Sequence, residues 1–363
     1  PEKQAVENAV YLDFENRILP GVRINYGLRL TGWNNRGPGT EYIYNDNYQP
    51  VDTLIYSSGK KYNTYTVIEP RLKLNFDLTG GISANLSYTH NVQFEHLISN
   101  SISPFTSMEV WLPAGPNIKP ALSDQIAFGL GFTTKDESYS FNIEAYSKVI
   151  DNYVSYVDHA YMLFNPYVEG ELRYGEGRSY GIETLLRKSA GNPSGWISYT
   201  WSRIILDING INNDRNFPSR YDRPHNFNAH LDWNILPGWM LSANWTFSSG
   251  SPITTPTGFY YYNGYQVPFY DNRNNDRLPE YHRLDLSTEI RLNKEGSGYE
   301  HSLKLALYNA YGRKNPFTIN FNKIIDDSGA LKVPADRSGL PELHSSMMYV
   351  HGMVPSITYH FKF

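Results

Sequence analysis

Six titratable side chains occupy positions that an extended chain would bring to one surface: His230 and Asp232 in HNFNAHLDW, and Arg283, Asp285, Glu289 and Arg291 in YHRLDLSTEIRL. Residues two apart on a strand point the same way. Each run therefore lines up acids and bases along one face, and burying that face in an apolar core would be prohibitive. A water-filled surface with these groups can hydrogen-bond a polar solute or a polar protein domain. Metal chemistry is not indicated. Among ten histidines, His225 and His230 face opposite sides of a strand, while His90 and His96 lie far apart along one. Neither His-x-His nor His-Glu-x-x-His occurs. The loop Asp207–Asp214 (DINGINND) lacks the ligand spacing and closing Glu of an EF-hand; it reads, like Asp271–Asp276 (DNRNND), as Asn/Asp/Gly turn chemistry. No Gly-x-Ser-x-Gly or triad pattern is present and cysteine is absent, so no nucleophile is set up. These residues predict no enzyme, no metal and no cofactor.

The elements that must carry the polar rows are strands. From His225 to Ser249, Phe227, Ala229, Leu231, Trp233 and Ile235 alternate with Asn226, Asn228, His230, Asp232 and Asn234. A turn at Pro237-Gly238 follows, and the alternation resumes through Trp239, Leu241, Ala243, Trp245 and Phe247. One face is aromatic and apolar, the other amide-rich and polar, which suits a wall between lipid and a watery lumen. Thirteen such segments are predicted, at roughly 6–14, 21–33, 64–77, 81–95, 120–133, 138–150, 177–188, 195–206, 225–236, 238–249, 280–292, 299–311 and 353–363. The connections alternate short and long, from Glu15–Pro20 (short) and Asn34–Asn63 (long) to Asn293–Gly298 (short) and Gly312–Gly352 (long). Outer-membrane barrels sort their loops in this way, with tight periplasmic turns and long extracellular loops; a soluble sandwich has no reason to.

Composition agrees. Of 363 residues, 15% are aromatic, with 30 Tyr, while mean hydropathy is -0.50. No run approaches the length of a transmembrane helix, but a barrel crosses by alternation and keeps its mean hydropathy low. Abundant Tyr and Trp suit interfacial girdles. A net charge of -4 gives no footprint for nucleic acid. The predicted class is all-β, an antiparallel transmembrane barrel. An odd strand count conflicts with the even counts of bacterial barrels, which predicts that residues 1–363 form the C-terminal portion of a single barrel domain with its first strands supplied by another segment.

Several motifs carry a family resemblance. Arg273–Leu292 (RNNDRLPEYHRLDLSTEIRL), Leu305–Phe321 (LALYNAYGRKNPFTINF), Phe217–Trp233 (FPSRYDRPHNFNAHLDW) and Arg178–Arg203 (RSYGIETLLRKSAGNPSGWISYTWSR) resemble, in order, segments of TonB-dependent outer-membrane receptors. The N-terminal third is similar by pattern only. The closing run SITYHFKF resembles the C-terminal assembly signal of outer-membrane proteins, here Tyr359, Phe361 and Phe363. The resemblance implies the last thirteen or so strands of a 22-stranded barrel, with neither the family's plug domain nor its TonB box in the sequence.

What the resemblance implies functionally is active import of a scarce solute (an iron chelate, haem, cobalamin, glycan or peptide) across the bacterial outer membrane. Its implied partners are the TonB–ExbB–ExbD complex acting through the plug, the barrel-assembly machinery, outer-membrane lipid and the nutrient itself. A passive porin or solute-specific diffusion channel is the alternative. Two groups of residues are the candidate substrate contacts. One is the lumen row His230, Asp232, Arg283, Asp285, Glu289 and Arg291, whose charges would mostly hydrogen-bond the plug or water. The other is the loop set Tyr260, Tyr261, Tyr262 and Tyr265 in FYYYNGYQVPFY. Tyr42, Tyr44, Tyr48, Tyr56 and Tyr62 crowd a second loop. Tyrosines offer rigid contact area with a polar handle, and either ligand binding or an upper aromatic girdle accounts for them.

Overall fold

In the computed structural model, residues 3–98, 110–162, 164–263, 265–294, 298–323 and 343–363 are described. Thirteen strands pair consecutively and antiparallel in a single ladder. They are β1 (Gln4–Leu19), β2 (Val22–Arg36), β3 (Lys61–Asp77), β4 (Ile82–Gln93), β5 (Ala121–Thr133), β6 (Tyr139–Tyr156) and β7 (Leu172–Lys188). The ladder continues with β8 (Ser194–Ile208), β9 (His225–Leu236), β10 (Trp239–Ser248), β11 (Tyr281–Arg291), β12 (Glu300–Tyr308) and β13 (Val354–Lys362). The two-residue strand Phe217–Pro218 adds to β8 off this path.

Strand number and loop sorting match the alternation, but the ends differ. β1 continues to Leu19 although apolar alternation stops at Phe14, because Glu15 and Arg17 still pair with Asn25 and Arg23 of β2. The long connections are also more structured than turn chemistry suggests. They carry hairpins at Gly39–Tyr44 with Pro50–Tyr56, Glu95–Ile98 with Val110–Pro113, Gly258–Tyr262 with Tyr265–Phe269, and Thr318–Lys323 with Leu343–Met348.

One strand interior contains a proline. Pro70 pairs with Leu28 on its β2 side, while pairing of β3 with β4 runs only from Asp77 to Arg71. Pro70 has no N–H to contribute, so the ladder to β4 stops one residue short of it. Beyond that point the Val92 amide donates to the Glu69 carboxylate instead (3.3 Å).

The chain forms two compact units: Pro1–Leu130, Glu144–Gly181 and Arg203–Ser219; and Gly131–Ile143, Ile182–Ser202 and Arg220–Phe363. In the first, the buried apolar clusters gather at the long-connection ends of the strands rather than at mid-strand. Ile98, Leu112, Ile118, Val154, Tyr156 and Leu172 form one, Leu206, Ile208, Ile211 and Phe217 a second, and Trp33, Phe94 and Ala114 a third. Mid-strand apolar residues stay uncovered, as Val10, Leu12, Leu28, Leu30, Ile126 and Phe128 do.

Candidate functional site

In the second unit, strand register assigns every side chain to a face. His230 lies between Trp196 of β8 and Asn244 of β10, and Asn244 faces Asp285 of β11. Ser198, Asn228, Thr246 and Arg283 form the next row. Ser194, Asp232, Ser242, Ser287, Ala306 and Ser356 form the row on the other side. Met240, Glu289, Lys304 and Thr358 follow. The six sequence-predicted lumen residues thus share one polar face, and four of them meet in two pairs.

His230 Nε2 lies 2.9 Å from Asp232 Oδ2 and Nδ1 lies 2.7 Å from Asn244 Oδ1, while Ser242 donates to Asp232 Oδ1 at 2.5 Å. Arg283 donates through Nε to Asp285 Oδ2 and lies 2.9 Å from it through Nη2. Its Nη1 reaches the hydroxyls of Tyr281 (2.9 Å) and Tyr308 (2.7 Å), and its guanidinium lies 4.1 Å from the centre of the Tyr308 ring. A planar guanidinium with all three nitrogens satisfied is a rigid strut between strands. Glu289 accepts from Ser302 (2.7 Å) and sits opposite Lys304. The row's charges therefore find partners within the wall itself, a register effect that spacing along one strand does not reveal.

The opposite face is apolar and open. Leu231 is 44% exposed, Trp233 49%, Ile357 70% and Phe361 50%. Across strands, Trp233, Leu241, Thr288, Leu305 and Ile357 form one continuous row. A water-soluble sheet would cover such a face, since a contiguous apolar surface of this kind marks contact with lipid or another apolar phase.

The sequence matches the family described as "TonB dependent receptor-like, beta-barrel" over residues 2–310. The chain belongs to this family. No curated protein sequence matches it. Among solved structures, it superposes on the ferric-catecholate import receptor Fiu of E. coli K12 with a TM-score of 0.60 at 13% identity, covering 99% of this chain and 45% of that one. The ferripyoverdine receptor FpvA of P. aeruginosa, bound to a heterologous pyoverdine, gives 0.58 at 11% identity, covering 98% and 38%. The copper transporter OprC gives 0.59 at 13% identity, covering 86% and 42%. The chain thus spans about two-fifths of the length of these structures. TonB-dependent receptor barrels are proteins of the bacterial outer membrane, not enzymes.

The first unit of this receptor barrel has an inward-folded segment at its long-connection end. Trp33 and Asn35 of β2, on the polar face, both donate to the Ala114 carbonyl (3.0 and 2.8 Å), and Tyr65 of β3 donates to the Gly115 carbonyl (2.8 Å). Phe94 stacks on Trp33 with ring centres 5.0 Å apart. Asn117 donates to the Tyr42 carbonyl (2.8 Å) and Glu169 Oε2 (2.7 Å), and Tyr174 donates to the Asn117 carbonyl. Lys3 pairs with Glu169; burial pulls its pKa down to about 8 against the opposing pull of Glu41. His96 is 6% exposed, and burial lowers its pKa.

Around this segment lie the loop tyrosines. Tyr42 packs edge-on against Tyr167 (4.8 Å), Tyr56 stacks on Tyr62 (4.4 Å), and the Arg173 guanidinium covers the Tyr48 ring (3.4 Å). Tyr56 donates to Glu41 (2.7 Å), which pushes its pKa up to about 12. In the second unit, Tyr260, Tyr261, Tyr262 and Tyr265 all fall on the hairpin Gly258–Tyr262 with Tyr265–Phe269. Tyr260 and Tyr262 are half or more exposed. The hairpin belongs to the connection between β10 and β11, whereas the ionic row runs along the strands.

A latch escaped sequence reasoning. Arg277 donates to the carbonyls of Asp222 (2.6 Å) and Gly250 (3.1 Å) and pairs with the fully buried Asp222 carboxylate. Both residues lie in motifs that carry the family resemblance, but nothing in either motif names the other as its partner.

Proposed function

We infer that this chain forms part of the wall of an outer-membrane active transporter that imports a scarce solute with energy supplied through TonB. The observation that carries the reading is the two-faced ladder, open and apolar on one side and polar with internally matched charges on the other, in a chain of the TonB-dependent receptor family. The remaining strands and a plug would complete the transporter. The long-connection hairpins, including Tyr260, Tyr261, Tyr262 and Tyr265, would receive the solute outside. The row His230, Asp232, Arg283, Asp285, Glu289 and Arg291 would face the plug and the permeation path. The aromatic C-terminal residues Tyr359, Phe361 and Phe363 would be read by the barrel-assembly machinery. Solved relatives described as siderophore receptors and as a copper transporter support a small chelate or metal-bearing solute.

The test is uptake by intact cells producing the full-length protein. Labelled ferric catecholate, ferric hydroxamate, haem, cobalamin and maltohexaose are supplied with and without a protonophore. Accumulation of one solute that collapses when the proton gradient is removed supports the reading. Accumulation that survives the protonophore means a passive channel and overturns it.

A further inference from the structure

One aromatic residue lies on the wrong side of the wall. Trp233, Trp239 and Trp245 all belong to the apolar face, where Trp239 faces Ile290 and Trp245 faces Leu284. Trp196 shares the polar face with His230, and it is 36% exposed. Its indole is tilted 31° to the His230 ring at 6.1 Å between centres, so the ring is propped from beside rather than covered. An indole left open on a water-facing surface has an apolar body with nothing on it and a donor edge.

The surroundings of that ring have a consistent chemistry. In the next row, Ser198, Asn228 and Thr246 stand side by side on β8, β9 and β10. Neighbours across an antiparallel pair are about 5 Å apart at Cβ, and diagonal ones about 7 Å, so all three lie within one sugar ring's reach of Trp196. None of the three makes a side-chain hydrogen bond among the described residues, whereas the charged groups flanking them do. His230 and Asp232 hold each other below, and Arg283 is fully engaged at the end of the row. The patch therefore offers an apolar plate together with neutral hydroxyl and amide groups, each able both to donate and to accept.

We propose that Trp196, Ser198, Asn228 and Thr246 form a carbohydrate subsite on the polar face of the wall. One face of a pyranose would stack on the Trp196 indole and its hydroxyls would bond Asn228, Ser198 and Thr246. A pyranose has one face of C–H groups and a rim of hydroxyls, which matches a plate with neutral donor–acceptors beside it. A ferric chelate or other anion would be drawn to free cations, and the cation nearest this patch, Arg283, has none of its nitrogens free. The proposal rests on the transporter reading, since it names a substrate class for the same polar face.

The experiment uses the full-length transporter in detergent, applied to an array of bacterial, plant and host oligosaccharides. The best binder is then titrated by calorimetry against the wild type and Trp196→Ala, Trp196→Phe, Asn228→Ala and Trp233→Ala variants. Heat-modifiable gel migration confirms that each variant is folded. The proposal expects at least one oligosaccharide to bind. Its affinity should fall tenfold or more in Trp196→Ala and several-fold in Asn228→Ala, be largely kept in Trp196→Phe, and be unchanged in Trp233→Ala on the lipid face. Absence of any oligosaccharide binding, or binding indifferent to Trp196→Ala, overturns it. The assay contains no energy source, so its outcome is separate from whether uptake depends on TonB.

Discussion

Asp13 of β1 and Arg71 of β3 form an ion pair across the strand that separates them, with Nη2 2.5 Å from Oδ2, passing directly over Gly27 of β2. A Cβ at position 27 would lie 2.0 Å from Asp13 Oδ1 and 2.8 Å from Arg71 Nε. The glycine is there for room, not for an unusual backbone angle.

Gly27→Ala should therefore displace both side chains. Each is roughly half exposed, so the pair itself contributes about 1 kcal/mol or less, and overpacking adds about 1–3 kcal/mol. Urea unfolding of the protein in lipid vesicles measures the loss. Adding Asp13→Ala should recover part of it, because the two changes share one cause. Strict additivity would show that the crowding is not real.

The two faces of β9 predict opposite tolerance to charge. Leu231→Arg, on the open apolar face, should destabilise the folded wall by about 2–4 kcal/mol in a bilayer. Asn228→Arg, three residues earlier on the polar face, should cost well under 1 kcal/mol. Equal costs in vesicle refolding would mean that the faces are assigned the wrong way round.

Asp222→Ala would remove the buried partner of Arg277 and leave the guanidinium facing two carbonyls. Breaking a buried pair by deleting one side costs about 3–5 kcal/mol, and Arg277, a third exposed, places the loss near the lower end. The connections around Arg223 and Gly250 should become sensitive to limited proteolysis on intact cells. An unchanged cleavage pattern would remove the latch from the account of how these loops are held.

The short turn after β5 supplies a pH test. Asp136 accepts from the Ser138 hydroxyl at 2.5 Å and from its amide at 3.3 Å, and these bonds, with a further one from Thr134, bring its pKa down to about 2. The folded value lies below the ordinary carboxylate value of 3.8, so its contribution is complete above that value and is lost as pH falls toward 2. Carbon-detected NMR of the Asp136 carboxyl should show a midpoint near 2, moving up toward the ordinary value in Ser138→Ala. A wild-type midpoint near 3.8 contradicts the hydrogen-bonded turn.

Phe363 is almost fully exposed, at 98%, beyond a β13 whose Tyr359 and Phe361 also stand on the open face. Phe363→Ala should leave refolding in detergent unchanged yet lower the amount assembled in the outer membrane several-fold, as measured by surface labelling. Equal loss in both settings would make the residue structural and not a recognition signal.

Period-two alternation carried the ladder, because each spanning residue faces either lipid or water and its type must follow. The hairpins inside the long connections lacked that constraint. Gly39–Tyr56 and Gly258–Phe269 pair through backbone bonds, with tyrosines that alternation cannot assign to a face. The partners of the ionic row were hidden for another reason. Arg283 with Asp285 follows from spacing on one strand, but Tyr308, Ser302 and Lys304 come from register with β12, which no local pattern specifies. Trp196 was visible in the sequence as an aromatic in an alternating strand; only its pairing with His230 placed it on the polar side.

Matched charge on the polar face of β9 to β12 changes how a solute would find this wall. Asp232, Asp285 and Glu289 each sit beside a base, so the surface presents closely spaced dipoles, whose field fades within a few ångströms instead of reaching across a Debye length of about 8 Å. Capture there gains nothing from long-range steering. Uptake along this face should be indifferent to ionic strength, and discrimination between solutes must come from touch.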